Sequence, residues 1–271
     1  MTAGEGCDNR SVPRAADPRL SFDPAAEIYD EIRPNYPPAL FDYLFKLLPT
    51  RPNILEVGPG TGQATRDLLR RDGVVHAIEI GPGMAAKLRA NLPTDDLRVT
   101  VGDFERVAIP ERSMDAVFSA TAYHWVSPVA QLDRPAAILK PGGVLAIVDL
   151  NQVDSPDDDG FFTVVQPIYE RYGQAHRGPP APQRDSVDPP IRQPLSQDRR
   201  FVGVEVHGYD WNQTYSAAAY RKLMLSYSVT QMMDPQDRAG LLDDIQTFIQ
   251  ERFNGQITRP LVVTLTTAKL T

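Results

Sequence analysis

Between Pro49 and Asp149 short apolar runs alternate with amphipathic stretches, and this alternation restricts the possible folds more than any other feature. Asn53–Val57, Val74–Ile80, Leu97–Val101, Met114–Ala120 and Val144–Leu150 read as strands. Between several of them lie the helical stretches Gly62–Arg71, Pro82–Leu92 and Pro128–Leu139. Alternating units of this length imply an α/β fold with a mainly parallel sheet and helices on both faces. Pro135 inside the last of these helices predicts a kink or split near Asp133. Ahead of the alternation, Pro37-Pro38 opens a helix whose Leu40, Phe41, Leu44 and Leu47 share one broad apolar face.

Beyond Asp149 the regularity stops. Gly160–Tyr172 has helical spacing interrupted by Pro167, and Gly173–Gln197 holds six prolines and reads as a loop. Phe201–Trp211 alternates as a strand, and Ser216 is placed to cap a helix running to Tyr227. Asp237–Phe253 has a helical pattern, and Leu261–Leu270 closes the chain as a seventh strand. Four segments follow: a flexible tail at 1–20, a core at 21–150, a lid with the proline-rich loop and sixth strand at 151–258, and a final core strand at 259–271.

Composition removes several classes of function. The 28 Lys+Arg and 35 Asp+Glu leave a net charge of −7 and no long basic run, which argues against nucleic acid as a partner. The single cysteine, Cys7, excludes a disulfide framework. The longest aliphatic run, Val144–Val148, is far too short for a membrane span, and the first thirty residues lack an apolar signal segment. A cytoplasmic protein is expected, and its oligomeric state is left open.

The chemistry concentrates where the first strand enters a glycine-rich turn, Glu56-Val57-Gly58-Pro59-Gly60-Thr61-Gly62. Such a turn lets backbone approach a ligand closely, and the helix after it offers free N–H groups. A dinucleotide fingerprint requires a third glycine where Gln63 stands, and no G-K-[ST] phosphate loop follows. Glu79 ends the second strand at an offset of 79 − 60 = 19 from Gly60, near the roughly 20 that places an acid against a ribose. It reads either as that acid or as a solvated charge at a strand end. After the third strand, Asp103 offers an acceptor for an exocyclic amine and Phe104 a flat face for a base, unless Gly102-Asp103-Phe104 is only a turn.

Glu56–Gly62, Glu79, Asp103-Phe104 and Leu139-Lys140-Pro141-Gly142-Gly143 together resemble class I S-adenosylmethionine-dependent methyltransferases. Tyr29–Pro37 and Ser119–Val126 make the likeness strongest to the small-molecule branch that includes trans-aconitate methyltransferase. The motifs span about half the chain. The resemblance implies a doubly wound seven-stranded, mainly parallel sheet with a helical lid, and S-adenosylmethionine bound at the carboxyl ends of strands one, two and four. It implies that Glu56, Gly58, Gly60 and Gly62 surround the methionine and ribose portions. Glu79, with Ile80 beside it, takes the ribose hydroxyls; Asp103 and Phe104 take the adenine; and Ala120 supplies backbone near the adenosine. Arg33 and Tyr36 either close over the cofactor carboxylate or merely fix the approach to the first helix.

The implied reaction is in-line methyl transfer to a small-molecule carboxylate, hydroxyl or amine. His124, after the fourth strand, is either a general base or a support for the pocket, and the dispersed remaining histidines make no metal-ligand spacing. Residues 160–197 read either as a mobile flap over the acceptor or as an exposed tether with no contact to the site. Two alternatives stay open at this level: a non-catalytic S-adenosylmethionine-binding regulatory protein, and a nicotinamide-dependent oxidoreductase.

Overall fold

A computed structural model describes residues 35–155, 159–174 and 181–271. Seven strands form one sheet in the order β3-β2-β1-β4-β5-β7-β6. β1 (Asn53–Val57), β2 (Val74–Glu79), β3 (Leu97–Val101), β4 (Met114–Ala120) and β5 (Leu139–Gln152) are mutually parallel where they pair. β7 (Gln256–Leu270) runs antiparallel between β5 and the edge strand β6 (Phe201–Ser216). The strand order reverses between β1 and β4, and that reversal opens a crevice at their carboxyl ends.

Helices cover both faces of the parallel half, as its uninterrupted aliphatic strands require. α1 (Pro38–Lys46) and α2 (Gln63–Leu69) lie on one face, where Phe41, Leu44 and Leu68 pack with Ile54, Ala116 and Phe118. α3 (Pro82–Asn91) contributes Leu88 to the same cluster. On the other face α4 (Ala130–Ile138) joins Leu55, Val57, Val117 and Leu145. Neighbouring residues Ile54 and Leu55 therefore belong to different cores, as strand alternation dictates.

The helix around Pro135 is not split. Proline cannot donate to the carbonyl four residues earlier, that of Gln131. The buried Tyr123 hydroxyl donates to that carbonyl instead, at 2.7 Å, so the helix continues without an orphaned acceptor.

The later half is more ordered than its prolines suggest. α5 (Phe161–Val164) and α6 (Gln166–Arg171) replace the single interrupted helix. Within the expected loop, Arg184–Ser186 forms a turn of 3-10 helix and α7 spans Arg192–Gln197. Ile191 and Leu195, four residues apart, bury one helical turn against the second core and fix it there. Ser216 does cap α8 (Ala217–Leu225), accepting from the Ala219 amide at 3.2 Å. α8 stops before Tyr227, and α9 (Ser228–Gln231) and α10 (Pro235–Arg252) follow. These helices, which connect β6 to β7, bury Tyr220, Leu241 and Ile245 with Phe161 of α5 in a third core. The expected tail at 1–20 lies outside the described residues.

Candidate active site

The turn after β1 must stay bare. Gly58, Gly60 and Gly62 all have positive φ (67°, 59° and 104°), which glycine adopts without strain. A Cβ on Gly58 would collide with that of Ala122, and one on Gly62 would lie 2.7 Å from Leu88 of α3. Gly58 thus lets Ala122 approach the turn, and Gly62 lets α3 do so.

Glu79 ties this turn to the next. Its Oε2 accepts from the Gly60 amide at 3.1 Å and its Oε1 from the Gly81 amide at 2.9 Å, with only 7 % of the residue exposed. Two backbone donors hold the carboxylate in one orientation at the carboxyl end of β2. At the end of β3, Asp103 Oδ1 accepts from the Glu105 amide at 3.0 Å and shapes the turn. Phe104 is buried, with the Arg134 guanidinium over its ring at 5.4 Å and donating to its carbonyl.

After β4 the chain turns sharply through Thr121, whose φ is +55°. The hydroxyls of Thr121 and Tyr36 lie 3.1 Å apart, linking the described start of the chain to this turn. His124 follows in a short 3-10 segment, its ring 5.0 Å from that of Trp125. Desolvation lowers the His124 pKa below the ordinary imidazole value, so its ring is neutral at pH 7.

These elements enclose one cavity of about 450 Å³. Gly58, Gly60, Glu79, Ile80, Asp103, Phe104 and His124 all line it. Glu56, Gly62 and Ala120 do not. Glu56 points behind the turn, 1 % exposed, where its Oε2 accepts from the Thr65 hydroxyl at 2.7 Å. Burial, assisted by the nearby Glu79, pushes its carboxyl up to about 8. Ala120 packs against the first core, and the backbone reaching the cavity is that of Thr121 and Ala122, one turn further on. Tyr36 meets the lining residue Thr121, and Arg33 lies outside the described residues.

Sequence reading missed Met84, Leu150, Val229 and Arg259, which also line the cavity. Met84 stands in the first turn of the helix after β2, a place that spacing from Glu79 could have flagged. Nothing local marks the other three. Among the described residues of 160–197, none lines this cavity.

Five parallel strands, an antiparallel seventh inserted before the sixth, and a cavity at the switch point make this the architecture of class I S-adenosylmethionine-dependent methyltransferases. Residues 55–147 match the family described as methyltransferase domain. An uncharacterized methyltransferase of Mycobacterium bovis is 30 % identical over 233 residues, covering 86 % of this chain and 87 % of its own. A malonyl-[acyl-carrier protein] O-methyltransferase of Halorhodospira halophila is 31 % identical over 59 % of this chain and 51 % of its own. Among solved structures, a phosphoethanolamine N-methyltransferase of Haemonchus contortus superposes with a TM-score of 0.54 at 16 % identity, covering 96 % of this chain and 61 % of its own. The chain belongs to the class I S-adenosylmethionine-dependent methyltransferases; it is an enzyme, and S-adenosylmethionine is its cofactor. The specific likeness to trans-aconitate methyltransferase is not among these matches.

Among the described residues, no helix is long and apolar enough to cross a membrane.

Proposed function

We propose that this protein is a cytoplasmic enzyme that methylates a small-molecule acceptor at a carboxylate, hydroxyl or amine. One observation carries the reading: the cavity is continuous from the Gly58–Gly60 turn to Leu150, Tyr227 and Arg259, so cofactor-side and acceptor-side residues share one enclosure. When bound, S-adenosylmethionine supplies a sulfonium methyl group as electrophile.

The bare Gly58–Gly60 backbone fits the ribose and methionine portions of that cofactor. Glu79, held by two amides, is oriented to accept the ribose hydroxyls. Asp103 and Phe104 take the adenine side, with Ile80 between, and Tyr36 steadies Thr121 at the opposite wall. Glu56 and Gly62 support the turn from behind, and Ala120 sets up the bend that follows it. Arg33 remains the proposed partner of the cofactor carboxylate. The chain's contribution to rate is alignment and exclusion of water. A carboxylate acceptor needs no base, whereas a hydroxyl or ammonium must lose a proton, for which the neutral His124 is placed on the lining. The malonyl-[acyl-carrier protein] O-methyltransferase relative supports an oxygen acceptor.

The test is incubation of the purified protein with methyl-labelled S-adenosylmethionine and a fractionated small-metabolite extract. Label in a low-molecular-weight product, matched by S-adenosylhomocysteine, is expected. Label appearing only in protein or nucleic acid added in parallel would overturn the reading.

A further inference from the structure

The cavity wall supplied by β7 carries a cation. Arg259, on β7, lines the cavity beside Leu150 and Tyr227. Its Nη1 donates to the Tyr227 phenol oxygen at 2.8 Å and its Nε to Gln152 Oε1 at 3.3 Å. Its guanidinium carbon lies 5.8 Å from the Phe162 ring centroid. All three partners are neutral. Among the described residues the titratable groups that act on it are the phenols of Tyr227, Tyr220 and Tyr215, with no carboxylate. Arg71, Arg171, Arg200 and Arg221, by contrast, each pair with an aspartate.

Arginine cannot shed its proton, and its planar fork carries five N–H donors. Placing that fixed charge on a cavity wall with no counter-ion among the described residues costs free energy, which a bound anion would offset. The planar fork matches a carboxylate in two parallel hydrogen bonds. Nearer solvent, the lining is apolar: Trp125 is 38 % exposed and Val229 52 % exposed. Resting on the methyl-transfer reading above, we propose that Arg259 is the anchor for a carboxylate on the acceptor, whose apolar body lies along Trp125 and Val229.

The cofactor's own carboxylate is a second source of the same chemistry. Sheet order favours the acceptor. β7 stands three strand spacings from β1, roughly 14 Å from the turn that holds the cofactor. Arg259 therefore sits across β4 and β5 from Gly58 and Gly60.

Octanoate, octanol and octylamine, matched in length, serve as probes in calorimetric titrations of the full chain saturated with S-adenosylhomocysteine. Octanoate is expected to bind at least tenfold tighter than octanol, with octylamine weakest. Arg259→Gln should reduce the octanoate preference to less than twofold while S-adenosylhomocysteine affinity stays within twofold of wild type. Should that variant fail to fold, Arg259→Lys carries the test: it keeps the charge, loses the fork, and should lower the preference several-fold. Equal binding of octanoate and octanol by wild type, or an undiminished preference in the folded variant, overturns the proposal. A tenfold loss of S-adenosylhomocysteine affinity in Arg259→Gln overturns it too, by assigning the arginine to the cofactor. Octanoate selectivity without methyl transfer to any small molecule would refute the proposed function and leave the anchor standing; transfer without selectivity would do the reverse.

Discussion

Replacing Glu56 by Gln should remove most of the protein's alkaline loss of stability. The carboxyl is fully buried and pushed up to about 8 from the ordinary 4.5, chiefly by desolvation. A raised folded-state value means that the native protein binds more protons than the unfolded chain between those two limits. Stability therefore falls as pH rises through this window and levels off above it. Integrating the linkage relation over these limits, the cost grows by roughly 2–3 kcal/mol between pH 6 and pH 9. For a domain of this size that is roughly 5 °C or more in melting temperature. Gln keeps an oxygen for the Thr65 hydroxyl now bonded at 2.7 Å and carries no charge to desolvate. The lowered pKa values of His76 and His124 act with the opposite sign, costing stability as pH falls below 6.5, so they cannot imitate the effect. Scanning calorimetry of both unliganded proteins from pH 5.5 to 9 should give a descending curve for wild type and a flatter one for Glu56→Gln. Two parallel curves would show that the buried Glu56 does not titrate in this range, and the argument would fail.

Three other substitutions probe the same architecture. Glu79→Ala removes the acceptor for the Gly60 and Gly81 amides, bonds to a charged group worth roughly 1.5–3 kcal/mol each. Calorimetry should find at least tenfold weaker S-adenosylhomocysteine binding and also a lower melting temperature without ligand; unchanged affinity would take Glu79 out of the site. Gly58→Ala places a Cβ against that of Ala122 at a φ of +67° and should weaken S-adenosylhomocysteine at least tenfold, a result that wild-type affinity would contradict. Tyr123→Phe deletes the donor that serves the Gln131 carbonyl ahead of Pro135, leaving a buried acceptor unpaired at a cost of roughly 1–3 kcal/mol. Urea denaturation should report that loss, and an unaltered midpoint would mean that the helix tolerates Pro135 by other means.

The parallel strands were legible because burial on both faces leaves them near-continuous aliphatic runs. Val74–Ile80 and Met114–Ala120 match the observed β2 and β4 to within one residue. Antiparallel β7 was harder. The aliphatic pattern begins only at Leu261, yet Thr258-Arg259-Pro260 ahead of it continues the ladder with β6. Pro260 is tolerated there for a specific reason. Its carbonyl accepts from the Val153 amide, so its missing donor faces β5, whose ladder with β7 ends at the preceding pair, Gln152 with Leu261. The strand thus runs on past β5 and carries Arg259 into the cavity.

The site divides along the same line. Glu79 and Gly60 are 19 residues apart within one strand–helix–strand unit, so the geometry that joins them is local and spacing alone exposes it. Arg259 meets Gln152 across 107 residues and Tyr227 across 32, through a helical insertion whose length no turn or strand period dictates. A cofactor of constant shape imposes fixed intervals on the turns that hold it, and those intervals are visible in the sequence. An acceptor imposes only a wall of suitable chemistry. Any elements that pack there can supply it, here the end of β5, the α8–α9 junction and the start of β7. On the proposal above, acceptor choice would rest on long-range packing of the second half against the first, and Arg259 stands where the two meet.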